Sequence, residues 1–150
     1  MKVLIIGSNG QLGSDLSSEL KEHELILATH NDIELKNKKS VFSFIKKCRP
    51  NIVINTAAFH KGEDCEKFPV TAFKVNAIGA RYVALACLMI DAVLLHISTD
   101  YVFDGKKNSP YTEDDVTNPL STYGITKLAG ENYIRSILEK YFIVRTSGLY

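Results

Sequence analysis

Tyr123 and Lys127, four residues apart in STYGITKLAGE, are the side chains of this sequence best suited to moving a proton. At i and i+4 of a helix they share one face. A lysine cation beside a phenol favours the phenolate, so the spacing predicts a tyrosine drawn below its ordinary pKa of about 10. Such a tyrosine gives its proton to a carbonyl oxygen as hydride reaches the carbon, which is general acid catalysis. The spacing alone is common, and on an isolated helix it describes a solvated face. It gains weight from HISTDYVFDG at 96–105, where an apolar run ends in Ser98, Thr99 and Asp100. A hydroxyl at the carboxyl end of a strand can hydrogen-bond the same carbonyl, so Thr99, Tyr123 and Lys127 form one candidate proton-transfer unit.

Hydride needs a carrier, and GSNGQLG supplies a place for one. Gly7, Gly10 and Gly13 follow the apolar run KVLIIG and open a helical pattern. Glycines in that context permit a tight turn and close approach of backbone N–H groups and a helix dipole to a pyrophosphate. With the tyrosine and lysine, the loop points to a nicotinamide-dependent oxidoreductase. The second apolar run ends ATHND, with His30 and Asn31 ahead of Asp32, where a carboxylate would otherwise hold the adenine ribose. A histidine there does not repel a 2′-phosphate, which favours NADPH mildly over NADH.

These residues must be held by alternating elements. Short apolar runs at 2–7, 24–30, 51–58, 92–98 and 142–147 are continuous rather than alternating, as strands covered on both faces require. Between them, Leu12, Leu16 and Leu20 mark one helical face and Val41, Phe42 and Ile45 another. Residues 70–89 read as one long Ala-rich helix, and 121–140 as another with Leu128, Ile134, Ile137 and Leu138 inward. The pattern predicts an α/β fold over 1–150: a doubly wound parallel sheet, an NAD(P)-binding Rossmann-like domain, with ligands at the carboxyl ends of its strands. The aperiodic segment 104–120 is expected over the mouth of the active site.

Composition narrows the partners. With 45% hydrophobic and 23% charged residues and a net charge of +1, the chain can build a core but shows no basic footprint for nucleic acid or an anionic membrane. Cys48, Cys65 and Cys87 are odd in number and lack CxxC spacing, so they read as reduced thiols of a cytoplasmic protein. No uninterrupted apolar run reaches 18 residues, and VLII is too short for a signal sequence. His23 and His96 lack neighbours at metal-ligand spacing, and Glu113, Asp114 and Asp115 read as a solvated turn. No metal site is assigned.

The motifs resemble those of the extended short-chain dehydrogenase/reductases and, within them, the dTDP-4-dehydrorhamnose reductases. The resemblance rests on the GxxGxxG loop, NTAA after the central strand, VNAIGA in the long helix, STDYVFDG, PLSTYGITKLAGE and the final RTSGLY. It implies NAD(P)H-dependent reduction of the 4-keto group of dTDP-4-dehydro-L-rhamnose to dTDP-L-rhamnose, a step of dTDP-rhamnose biosynthesis, with Thr99, Tyr123 and Lys127 catalytic. It also implies that Gly7, Asn9, Gly10, Gln11, Leu12 and Gly13 hold the pyrophosphate, with His30, Glu34 and Leu35 near the adenine. Ala57, Ala58, Phe59 and His60 would flank the adenosine, and Asn76 would hold the backbone beside the cofactor. Tyr123 and Lys127 would touch the cofactor too, while Thr99, Asp100 and Tyr101 face the sugar. Magnesium at a subunit contact and a homodimer belong to the same implication.

The chain departs from the family at His30, at Glu63 in HKGEDCE, where the pattern TxVDxAE has aspartate, and at Gly148, where RTSW has an aromatic residue. The family's C-terminal nucleotide-sugar-binding portion is absent from these 150 residues, which are expected to bind cofactor and to turn over sugar poorly alone. Two alternatives share the motifs: a non-catalytic NADP-binding regulatory subunit resembling the methionine adenosyltransferase beta subunit, and a nucleotide-sugar epimerase or dehydratase with tightly held NAD. Thr99 beside intact Tyr123 and Lys127 favours the reductase. Asp100 without a following glutamate argues against a dehydratase.

Overall fold

The five apolar runs form five strands in the computed structural model, which describes residues 1–149; Tyr150, the last letter of RTSGLY, lies outside the described residues. They are β1 (Lys2–Ile6), β2 (Glu24–Ala28), β3 (Ile52–Asn55), β4 (Val93–Thr99) and β5 (Tyr141–Thr146). All pair in parallel in the order β2-β1-β3-β4-β5, with Leu4 in register with Ile26 on one side and Val53 on the other. β2 and β3 stop sooner than their apolar letters suggest, at Ala28 and Asn55. Past those points the chain leaves the ladder to line a cavity.

The connecting helices are α1 (Gln11–Glu19), α2 (Lys38–Cys48), α3 (Gly62–Lys67), α4 (Pro69–Phe73), α5 (Ala80–Ile90) and α6 (Thr122–Ile137). Local chemistry sets their limits. Asn37 caps α2 by accepting from Lys39 N and Ser40 N, and Ser121 caps α6 by accepting from Gly124 N. At the far end of α6, Leu138 turns to extended geometry, so that helix is shorter than the predicted 121–140. The predicted helix 70–89 is one helical stretch with a π-helical segment, Lys74–Gly79, between α4 and α5. Such segments recur at functional sites, and this one carries the buried Asn76. α3 is short and polar, and the apolar periodicity gave no sign of it.

α2, α5 and α6 pack on one face of the sheet, where Val41, Ile45, Val83, Ala84 and Ile134 meet Leu4, Val53 and Leu94. α1 covers part of the other face, placing Leu16 and Leu20 against Val3, Ile5 and Ile54. β5 departs from the expectation of strands covered on both faces: Phe142 and Val144 are 64% and 42% exposed. Pro69–Ile90 is long and apolar enough, by length and composition, to cross a membrane, although Lys74 and Arg81 break its apolar run. In this fold Ala80, Val83, Ala84, Ala86 and Cys87 of that stretch lie in the core.

Candidate active site

The turn from β1 into α1 is built on two glycines that nothing else can replace. Gly7 has φ +85°, and a Cβ on it would stand 2.8 Å from Thr56 Oγ1 and 2.9 Å from Ala57 N. A Cβ on Gly13 would meet Gly7 O at 2.3 Å. Gly10 at the helix N-cap offers no side chain to its amides. The first-turn N–H groups and the positive end of the helix are therefore available to an anion, which fits the pyrophosphate of a dinucleotide.

This turn forms one wall of a cavity of ≈ 740 Å³ at the carboxyl ends of the strands. Gly7, Asn9, Gly10, Gln11, Leu12 and Gly13 line it from the turn, and His30, Glu34 and Leu35 from the segment after β2. Ala57, Ala58, Phe59 and His60 follow β3. Thr99, Asp100 and Tyr101 stand at the end of β4, opposite Tyr123 and Lys127 of α6. The residues assigned from the sequence to catalysis, cofactor or substrate all line this cavity except Asn76. Its Oδ1 accepts from Phe59 N at 2.8 Å, while Nδ2 donates to Phe59 O at 2.9 Å and Thr126 Oγ1 at 3.0 Å. With all its polar atoms so used, Asn76 stands behind the cavity lining and fixes Phe59.

Lys36, Thr146 at the end of β5 and Ser147 and Leu149 after it, none assigned to the site from the sequence, also line the cavity, as does Gly148. Lys36 Nζ is 3.8 Å from Glu34 Oε2 and His30 Nε2 is 3.7 Å from it. The signal was present in ELK at 34–36, in the segment that follows the second strand. Glu63, by contrast, has its side chain 92% exposed and does not line the cavity, so the departure there leaves the site unchanged.

The reacting groups differ from expectation in their electrostatics. Tyr123 is pushed above the ordinary tyrosine value, chiefly by burial, with a hydrogen bond to Thr99 acting in the opposite direction. The predicted lowering by Lys127 does not occur. Lys127 is only 2% exposed; Nζ donates to Ile97 O at 2.6 Å and lies 3.4 Å from His96 Nε2. Burial brings its pKa down to about 8, with Glu131 opposing. The lysine is thus anchored to a carbonyl and desolvated, and its hydrogen-bond contacts are to Ile97 O and His96 rather than to the phenol. Thr99 Oγ1 accepts from Tyr101 N at 3.2 Å and is 3.2 Å from Asp100 Oδ1, to which it donates.

Four residues beyond Lys127 on α6 is Glu131, fully buried. Its carboxylate accepts from Ser98 Oγ, from Arg145 Nε at 3.1 Å and Nη2 at 2.7 Å, and from Arg135 Nη2 at 3.2 Å. Arg145 also lies 5.0 Å over the ring of Phe103, which stacks on Tyr111. Through these contacts the long segment 104–120 is tied down. Asp104 holds it together by accepting from Lys106 N, Tyr111 Oη and Asn118 Nδ2. The segment borders a smaller cavity of ≈ 380 Å³ that shares Asp100 and Tyr101 with the large one. It lies beside the large cavity, where the sequence reading had put it over the mouth. Asp115 pairs with Lys107, and among the described residues no group of three or more His, Cys, Asp or Glu could hold a metal ion.

The lowered lysine has a measurable consequence. Lys127 releases its proton near pH 8 when folded and near 10.5 when unfolded, so between those values the unfolded chain binds more protons. Its contribution to stability therefore rises with pH across that window. Comparing wild type with Lys127→Met isolates it from the buried thiols, whose contribution falls over the same range. Wild type is expected to gain on the order of 2 kcal/mol relative to the variant between pH 7.5 and 10 in thermal melts. A constant difference would show that the lysine titrates normally.

A family described as RmlD substrate binding domain matches residues 1–150. The spore coat polysaccharide biosynthesis protein SpsK of Bacillus subtilis (strain 168) is 42% identical over 99% of this chain and 53% of its own length. The crystal structure of a dTDP-4-dehydrorhamnose reductase from Clostridium acetobutylicum superposes with a TM-score of 0.97 at 45% identity, covering 100% of this chain and 54% of that one. That of the dTDP-4-dehydrorhamnose reductase from Bacillus anthracis, in complex with NADP, gives 0.96 at 40% identity, covering 99% and 54%. The chain spans about half the length of the relatives it matches.

Proposed function

The chain belongs to the RmlD substrate binding domain family, matched over residues 1–150, and from this premise we propose that it is the dinucleotide-binding part of a reductase that converts dTDP-4-dehydro-L-rhamnose to dTDP-L-rhamnose. The observation that carries this reading is that the glycine turn and the Thr99, Tyr123 and Lys127 side chains line one cavity. A bound nicotinamide supplies hydride. Tyr123, held protonated by burial, gives its proton to the 4-keto oxygen, and the Thr99 hydroxyl turns from Asp100 Oδ1 to donate a hydrogen bond to the same atom. Lys127 lies on the same face of α6, one turn further on, where its charge stabilises the tyrosinate that remains. Asp100 and Tyr101 orient the sugar. The same three side chains favour an enzyme over a non-catalytic binding subunit.

In this reading residues 1–150 hold the cofactor, and the nucleotide of the sugar is gripped by a further portion of the kind the longer relatives have. NADPH is the better donor, because Lys36 offsets the charge of Glu34 where a 2′-phosphate would lie and His30 places no carboxylate there. Magnesium is assigned no site in this chain, whose described residues offer no cluster of three ligands. Three free cysteines are in keeping with the reducing cytoplasm.

Calorimetric titration with NADPH and NADH in parallel tests the proposal. NADPH is expected to bind more tightly, and His30→Asp to weaken it by roughly tenfold through like-charge repulsion, an effect of about 1.4 kcal/mol in a partly solvated site. NADH should be little affected. Failure of a folded chain to bind either dinucleotide would remove the premise of a cofactor domain.

A further inference from the structure

Two neighbouring residues of the short helix α3 reach different parts of the site. Cys65 Sγ donates to Phe59 O at 3.2 Å, and Phe59 lines the cavity. Glu66 engages Thr122, the first residue of α6, twice: Oε1 accepts from the backbone N–H at 2.8 Å and Oε2 from the hydroxyl at 2.6 Å. The hydroxyl first, and the amide second, hold the Glu66 carboxyl below its ordinary range, so it is ionised at neutral pH. Neither Glu66 nor Thr122 lines the cavity, but the residue that follows Thr122 is Tyr123.

A carboxylate at the positive end of a helix is favourable in itself, and a cap would be the plain reading of this contact. α6, however, already has its cap, because Ser121 Oγ accepts from Gly124 N at 3.1 Å. What Glu66 adds is a tie to another element. One hydrogen bond lets a helix end pivot, whereas two bonds to a single residue fix both its place and its direction. The same turn is also pressed against the backbone that follows β4, where a Cβ on Gly124 would collide with Tyr101 O. Tyr123 therefore rides on a turn held from α3 and seated directly on the stretch that carries Thr99 and Tyr101. We propose that Glu66 is a positioning residue, which by gripping Thr122 sets where the Tyr123 phenol stands against Thr99. The proposal rests on the reading of Tyr123 as proton donor, and its effect on rate comes from geometry alone.

The first test is NMR of the 150-residue chain without ligand. Glu66→Ala should expose the Thr122 amide to exchange and weaken the nuclear Overhauser cross-peak between the Tyr123 ring and the Thr99 methyl. Glu66→Gln, which offers an acceptor to the amide and a donor to the hydroxyl, should restore both. An unchanged cross-peak in a folded Glu66→Ala chain would overturn the proposal. Should that variant not fold, Thr122→Val against Thr122→Ser makes the same comparison, since only the first removes the hydroxyl. The second test uses a full-length version that also carries the nucleotide-sugar-binding portion. There Glu66→Ala is expected to lower kcat about tenfold and to leave the KM for NADPH where it was, with Glu66→Gln close to wild type. An unmoved kcat in the alanine variant, or an equal loss in both variants, would also overturn it, the latter by showing that the charge matters and the grip does not. Absence of turnover in the full-length wild type would count against the reductase reading alone, because the cross-peak is measured without sugar or cofactor.

Discussion

In a full-length version that also carries the nucleotide-sugar-binding portion, Tyr123→Phe is expected to lose about 10²–10⁴-fold in the rate of carbonyl reduction, the usual contribution of a positioned general acid. NADPH affinity should stay as in wild type. The variant is informative because it removes one oxygen and little else: the ring stands edge-on to Tyr101 with centroids 6.0 Å apart, and phenylalanine keeps that contact. Melting temperature should therefore change little, so that lost turnover reports chemistry rather than folding. The raised Tyr123 pKa adds a direction to the pH profile. A phenol that ionises above its ordinary value remains a competent acid through the neutral range, and wild-type reduction should fall only on the alkaline side. Wild-type turnover in Tyr123→Phe would take the tyrosine out of the reaction.

Glu131→Ala should have the largest effect on stability. The carboxylate is fully buried and satisfies Ser98, Arg145 and Arg135 together, and removing one member of a buried charged cluster typically costs about 3–5 kcal/mol. In a domain of this size that lowers the melting temperature by roughly 10 °C or more. Glu131→Gln, which keeps the shape and one acceptor, should fall between the two. A melting temperature within about 2 °C of wild type for the alanine variant would show that the arginines find other acceptors.

The Glu131 cluster also shows where reading the sequence stopped. The strands were legible because apolar runs in a parallel sheet are nearly unbroken, and the cavity followed because Rossmann-like sheets place ligands at strand ends. Tyr123, Thr99 and the glycine turn were legible from residue type and spacing. Glu131 was in plain view four residues after Lys127, yet nothing local distinguishes a buried glutamate from a solvated one. Its partners Ser98 and Arg145 are far away in sequence and adjacent only once β4 and β5 pair. The direction of the Tyr123 shift failed for the same reason: helical spacing suggests which charges are near, but burial depends on the whole fold. Asn76 reads as holding backbone near the active site, and which backbone it holds, that of Phe59, follows only from the fold.

β5 carries a different implication. It ends the sheet beyond β4, and two of its apolar side chains, Phe142 and Val144, face solvent. Its outer row of N–H and C=O groups is a template on which another extended chain can assemble. A net charge of +1 supplies little long-range repulsion to keep molecules apart. Among the described residues both sheet edges carry exposed apolar side chains, Leu27 on β2 and Phe142 and Val144 on β5, and an inward-facing lysine or a proline on β5 is expected to raise the solubility of this chain in concentrated solution.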